Sequence, residues 1–160
     1  GEVVNGLINL PAVLLIVVLV VTLVLNIVTP EGTRYEGQVD GLVVPGAEGD
    51  FGVLPGHERF LAAVRIGELQ IQDGRSALWA AVSDGFAEVN GDKVVLMVDS
   101  CEFAGDIDAA RAERAKARAE REIEELRASH ADANNFLIEE RALQRALIRI
   151  QIASKPHRPL

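Results

Sequence analysis

Asp106-Ile107-Asp108-Ala109-Ala110-Arg111-Ala112 divides the chain into two unlike halves. Before it lie glycines, valines and apolar residues at alternate positions; after it the composition turns to Ala, Arg and Glu, with apolar residues at helical spacing. A break this abrupt joins a β domain to a charged helical element that has few residues with which to bury itself. Function is therefore expected where that element docks.

Upstream of the join, residues 21–105 read as many short strands separated by turns, one about every 8–12 residues, the pattern of a β-sandwich or barrel. The expected strands are Leu23–Thr29, Tyr35–Pro45, Leu61–Val64, Glu68–Ile71, Leu78–Ser83, Phe86–Asn90 and Lys93–Glu102. Asn90-Gly91 is the strongest hairpin signal, because a two-residue primed turn needs positive φ, which Asn and Gly adopt cheaply. A long glycine-rich loop from Gly46 to Gly56 interrupts the series.

Downstream, Asp106 or Asp108 can cap a helix running to about Ala128, since a carboxylate accepts from the first free amides. Ser129 to Asn134 has turn chemistry, a second helix is expected from Asn135 to Ala153, and Pro156 and Pro159 end it. Ala112, Ala115, Ala119, Ile123 and Leu126 form a thin stripe on the first helix, and Phe136, Leu143, Leu147 and Ile150 form another on the second. Two narrow stripes suit an antiparallel two-helix hairpin over 106–153, each helix about 30 Å long, with a tail at 154–160. Little else holds such a hairpin, so it should leave the sandwich easily.

The chain has 160 residues, a net charge of −8 and 24 acids against 16 bases. That balance excludes a general nucleic-acid binder, whose phosphate contacts need surplus Lys and Arg. One cysteine, Cys101, excludes an internal disulfide and is read as a buried small hydrophobe. Residues 1–20 form an apolar extension: no charge falls between Val3 and Pro30. Hydropathy alone flags a membrane segment here. The run is rich in Val, contains Pro11 and leads into the first strand, so an extension followed by a strand is preferred to an anchor. No basic residue precedes it and no small-residue cleavage site follows, so it is not read as a signal peptide.

Gly46-Ala47-Glu48-Gly49-Asp50-Phe51-Gly52 invites comparison with a phosphate loop, but Glu48 and Asp50 would repel the anion and no Lys is present. It reads either as a structural Ω-type loop or, with Leu54 and His57, as a docking surface for another protein. His57, His130 and His157 have no ligand spacing, so no metal site is expected, and no acid, base and nucleophile converge into a catalytic constellation. The arginines carry more information. Arg111 and Arg118 share one helix face, as do Arg145 and Arg149, and an antiparallel turn near Ala131-Asp132 would bring the four to similar levels. Arg118 with Glu122 and Arg121 with Glu125 are expected pairs; Arg145 and Arg149 find no acid on their own helix. Such charges are solvated or await an external anion, of which a nucleoside triphosphate is the suited kind.

The chain resembles the epsilon subunit of bacterial F-type ATP synthase over residues 23–153. The resemblance rests on Val43-Val44-Pro45-Gly46-Ala47-Glu48-Gly49-Asp50-Phe51-Gly52-Val53-Leu54-Pro55-Gly56-His57, on Gly85-Phe86-Ala87-Glu88-Val89 and on the opening heptapeptide. It implies a β-sandwich followed by a two-helix domain, in a non-catalytic rotor subunit whose partners are the gamma subunit, the c-ring and the beta (and alpha) subunits. It also implies c-ring contacts at Glu48, Asp50 and His57. ATP, a regulatory ligand and not a required cofactor, would be bound by Ile107, Asp108, Arg111 and Ala112 of the family's motif, with Glu102, Arg118, Arg145 and Arg149. In an extended form Arg141, Arg145 and Arg149 would face an acidic segment of the beta subunit and hinder hydrolysis. The implied location is the cytoplasmic face of the bacterial plasma membrane, peripherally held. The apolar extension before Val21 departs from this pattern. The alternative is a membrane-tethered scaffold whose basic hairpin binds an acidic partner outside any ATP synthase.

Overall fold

The computed structural model describes residues 21–158 and 160; the apolar extension, with the question of an anchor there, lies outside them. Alternation builds the first domain. Ten strands run as β1 (Leu23–Thr29), β2 (Gly32–Val39), β3 (Gly41–Gly46), β4 (Gly49–Val53), β5 (His57–Val64), β6 (Gly67–Asp73), β7 (Ser76–Val82), β8 (Gly85–Gly91), β9 (Lys93–Val98) and β10 (Cys101–Phe103). Their pairing order is β10-β7-β6-β3-β5-β8-β9-β1-β2, with β4 on β3. Because side chains alternate across a strand, Leu23, Leu25 and Ile27 of β1, Leu69 and Ile71 of β6 and Val94, Leu96 and Val98 of β9 all enter one core. The sheet folds into two layers, β10-β7-β6-β3-β4 and β5-β8-β9-β1-β2, which meet at the single pair Gly46 and Val64. Its far edge is closed by Arg34 Nε donating to the Cys101 carbonyl at 3.1 Å and by Tyr35 against Phe103.

Three expectations are corrected. The run Tyr35–Pro45 is two strands, because the chain changes layer at Asp40, whose N–H donates to Gln72 O and whose carboxylate accepts from Gly74 N at 2.6 Å. The run Lys93–Glu102 divides in the same way at Asp99-Ser100, where Asp99 N donates to Asp84 O and Ser100 Oγ meets Ser83 Oγ. The Gly46–Gly56 segment is not an open loop: β4 pairs antiparallel with β3 through Leu42 and Val53, Val44 and Phe51. The β8–β9 hairpin forms as expected, but Asn90 pairs with Lys93, so Gly91 and Asp92 are the central residues. Gly91 alone has positive φ, 64°, the mark of a II′ turn with Gly first.

After a 3-10 turn at Ala104–Asp106 come helices α1 (Ala109–Ala128) and α2 (Ala133–Ala153), packed on each other. Asp132 accepts from Asn134 N and Asn135 N, which starts α2 two residues before the expected position. Between the helices His130 sits at φ 52°, with Ala131 N donating to Leu126 O and His130 N to Arg127 O, a Schellman ending with His where Gly is usual. Ala112, Ala119 and Ile123 of the first expected stripe are buried. On α2 the buried residues are Ala146 and Ile152, whereas Leu147 is exposed, because this helix also faces the sandwich. Ile152 is fully buried against Ala81 and Ala104, with Trp79, Ile107 and Ile148 around it. Along α1 the pairs formed are Lys116 with Glu120 at 3.9 Å and Arg127 with Glu124 at 2.8 Å, not those expected at Arg118 and Arg121. Exposed pairs of this kind are each worth well under about 1 kcal/mol, so their choice of partner is weakly determined.

Candidate functional site

The motif that opens α1 lies at the joint between the domains, and most of its residues have a structural reason to be there. Ile107 packs into the small cluster around Ile152. Asp108 is the N-cap, its Oδ1 accepting from Arg111 N at 3.0 Å. Ala112 is 2% exposed, small enough for α1 to lie close to its neighbours. Arg111 has no such role: its side chain is exposed and, among the described residues, enters no ion pair.

A cavity of about 200 Å³ opens here, lined by Glu102, Asp106, Ile107, Asp108, Arg111, Ala112 and Arg149. Six of the eight residues expected to bind ATP thus converge, drawn from the last strand of the sandwich, from α1 and from α2. Arg149 already pairs with Glu102, so that acid is neutralised within the site. Arg145, half-buried, lies in an adjoining narrow crevice with Glu102, Arg149, Ser83 and Ser100. Arg118 is exposed and lines neither; it stands seven residues along α1 from Arg111, about 10 Å away. A polyanion seated between Arg111 and Arg149 would meet two guanidinium groups and the first free amides of α1.

The face of the sandwich that receives α2 is acidic, a feature that no local sequence signal reveals. Arg141 pairs with Asp84, Arg149 with Glu102, Lys155 with Glu68 at 3.5 Å and Arg158 with Asp73. Gln151 Nε2 also donates to Glu68 Oε2 at 2.8 Å. Two of the three arginines expected to meet the beta subunit are therefore satisfied within the chain.

The expected c-ring residues are all exposed but do not form one cluster. Glu48 lies in the β3–β4 turn, and Asp50 on β4 is held by Arg65 at 2.6 Å. His57 begins β5 at the opposite end, its ring 5.0 Å from Phe60, which in turn meets Phe51 edge-on at 5.4 Å. A separate apolar patch occupies the outer face of β5, β8 and β9, where Leu61, Phe86 and Met97 are 66%, 53% and 45% exposed. Phe86 and Met97 are direct cross-strand neighbours. Cys101 is buried, as expected, and burial pushes its thiol up to about 12. His57, His130 and His157 lie on three different segments.

Fold and site together define a class: a closed β platform carrying a helical hairpin, with a polar cavity where the two meet, lined by two arginines and three acids. Residues 22–104 match the family described as ATP synthase, Delta/Epsilon chain, beta-sandwich domain. Relatives named ATP synthase epsilon chain include that of Syntrophobacter fumaroxidans, 42% identical over 82% of this chain and 95% of its own length. Those of Halalkalibacterium halodurans and Geobacter sp. (strain M21) are 37% and 42% identical, covering 84% and 83% of this chain and 98% and 94% of their own. The chain belongs to the ATP synthase delta/epsilon family. Its relatives are named as one chain of that complex, and it is a subunit rather than an enzyme in its own right. Its fold is similar to a chain in the cryo-EM structure of the Euglena gracilis mitochondrial ATP synthase, OSCP/F1/c-ring in rotational state 1. The TM-score is 0.69 at 21% identity, over 82% of this chain and 81% of that one.

Proposed function

We propose that the chain is a non-catalytic central-stalk subunit of a proton-translocating F-type ATP synthase, coupling c-ring rotation to the catalytic head and restraining ATP hydrolysis through its hairpin. The observation that carries this reading is the shared ownership of the joint cavity: Glu102 comes from the sandwich, Arg111 from α1 and Arg149 from α2. A ligand bridging them exists only while the hairpin is docked. Binding to one of two states shifts the population toward it, so ATP stabilises the compact form. The fit favours the phosphate end. The cavity, about 200 Å³, is smaller than the roughly 300–1,000 Å³ usual for a whole drug-sized ligand, and Arg118 lies within reach of the remainder along α1.

When the hairpin leaves, Arg141 and Arg149 lose Asp84 and Glu102 and become free, with Arg145, for an acidic segment of the beta subunit. Docking and inhibition draw on the same charges, so each state excludes the other. The exposed patch of Leu61, Phe86 and Met97 suits the gamma subunit, since contiguous apolar surface of this kind marks association. Glu48, Asp50 and His57 are assigned to the c-ring, which places the chain peripherally on the cytoplasmic face of the bacterial plasma membrane. Among the described residues no helix is long and apolar enough to cross a membrane. Family membership favours this reading over an independent scaffold.

Deleting residues 107–160 should leave a sandwich that binds gamma while hydrolysis by the assembled synthase rises; unchanged hydrolysis would sink the regulatory role. Arg111→Ala, the one motif change with no structural cost, should weaken ATP binding about 10- to 100-fold in calorimetry, the loss of one charge-assisted contact. Arg145→Ala should weaken it less, its side chain lying in the adjoining crevice.

A further inference from the structure

The segment beyond α2 does not trail into solvent. Ser154 Oγ donates to Gln151 O at 2.7 Å and Lys155 N to Ile152 O at 3.0 Å, closing the helix, and Pro156 prevents its continuation. The chain then turns along β6. Lys155 reaches Glu68, near the start of that strand, at 3.5 Å, and its Nζ lies 4.1 Å from the centre of the Trp79 ring on β7. His157 rests on the 3-10 turn, so close that a Cβ at Gly105 would come within 3.2 Å of its Cδ2. Arg158 pairs with Asp73 at the far end of β6. Lys155, His157 and Arg158 thus make four contacts, on β6, β7 and the 3-10 turn, and one of them lies on Trp79, which packs in the cluster that seats Ile152.

We propose that residues 154–158 are a strap that fastens the end of α2 to β6 and β7, and that its two ion pairs set how readily the hairpin leaves the sandwich. This deepens the reading above, since it rests on the hairpin being the part that moves. Lys155 and Glu68 are 29% and 24% exposed, so solvent screens their attraction less than at an open surface. The Trp79 face adds a cation–π contact to the same ammonium. With the strap in place Lys155 lies over the Trp79 edge of the seat that holds Ile152; with the strap off, that edge and the last turn of α2 meet water.

The test is hydrogen exchange on the full-length chain, followed peptide by peptide. In the double variant Lys155→Ala with Arg158→Ala, amides of α2 should exchange about tenfold faster, the combined effect of two ion pairs and one cation–π contact. Amides of β1 and β9 should be unchanged. Asp73→Arg alone should also speed α2 exchange, and combining it with Arg158→Asp should restore wild-type protection. Wild-type exchange in the Lys155/Arg158 variant, or no rescue by the charge swap, overturns the strap. Faster α2 exchange in that variant, with hydrolysis by the synthase unmoved when residues 107–160 are deleted, supports the strap and overturns the regulatory role instead.

Discussion

The sandwich and the hairpin are held by different forces. Among the described residues, twenty buried side chains form the core that closes the sandwich from both layers, whereas the apolar cluster where the hairpin seats on it holds three, Ala81, Ala104 and Ile152. The remaining attachments of α2 and the tail are mostly ion pairs whose side chains are roughly a quarter to just under a half exposed, Lys155 with Glu68 and Arg158 with Asp73 marking the range. Burial is non-directional and lost only by opening the whole core, while a partly solvated pair is worth about 0–1 kcal/mol and is exchanged for water or another anion at little cost. One chain thus combines a platform that does not yield with an arm that does.

The largest expected effect is in the platform. A Cβ at Gly85 would fall 1.9 Å from the Met97 carbonyl oxygen, so Gly85→Ala forces β8 from β9 and should cost about 3 kcal/mol or more in chemical denaturation of the whole chain. Ile152→Ala comes next. It should weaken docking by about 2 kcal/mol, seen as faster exchange along α2, with exchange in β1 and β9 as the unaffected reference. If Ile152→Ala lowers the stability of β1 and β9 as much as that of α2, the two regions are one cooperative unit and the contrast fails.

Cys101 gives a smaller, pH-dependent signature of the platform. Its thiol is pushed up from 9.0 to about 12 by burial, with Arg34 opposing and Glu102 adding to the rise. Above pH 9 the unfolded chain has lost a proton that the folded chain keeps, so stability should fall as pH climbs toward 12, and Cys101→Ala should remove that part of the slope. Thiol reagents at pH 8 should label Cys101 only on unfolding. The smallest effect is at the hairpin turn: His130→Gly relieves a left-handed residue and should stabilise the helices by up to about 1 kcal/mol by thermal melting, without touching the sandwich.

Legibility followed the same division. Strands with clean alternation, such as β1 and β6, and a helix cap at Asp106 or Asp108 could be read because the signals are local, and Asp108 is the one that caps. β4 could not, since Gly49-Asp50-Phe51-Gly52-Val53 has little strand propensity and is drawn into line by pairing with β3. The breaks at Asp40 and Asp99 are changes of layer, which alternation does not encode. At the site, Arg111 and Arg149, which the spacing sets at similar levels, both line the cavity, whereas Arg118, exposed on α1, is not among its lining residues. Ile148, Ile152 and Trp79 were missed because their roles depend on which face of α2 meets the sheet. The ion pairs to Asp73, Asp84, Glu68 and Glu102 join residues dozens of positions apart, beyond the reach of any helical period.

The first strand has one further consequence. β1 pairs antiparallel with β2, which follows it at once, but its other edge pairs parallel with β9, Leu25 against Val94 and Ile27 against Leu96. On a ribosome adding about 5–20 residues per second, that edge waits several seconds for its neighbour to be made. During synthesis the nascent chain therefore carries β1 with one apolar edge still open, and it is there that a holding chaperone would find its grip.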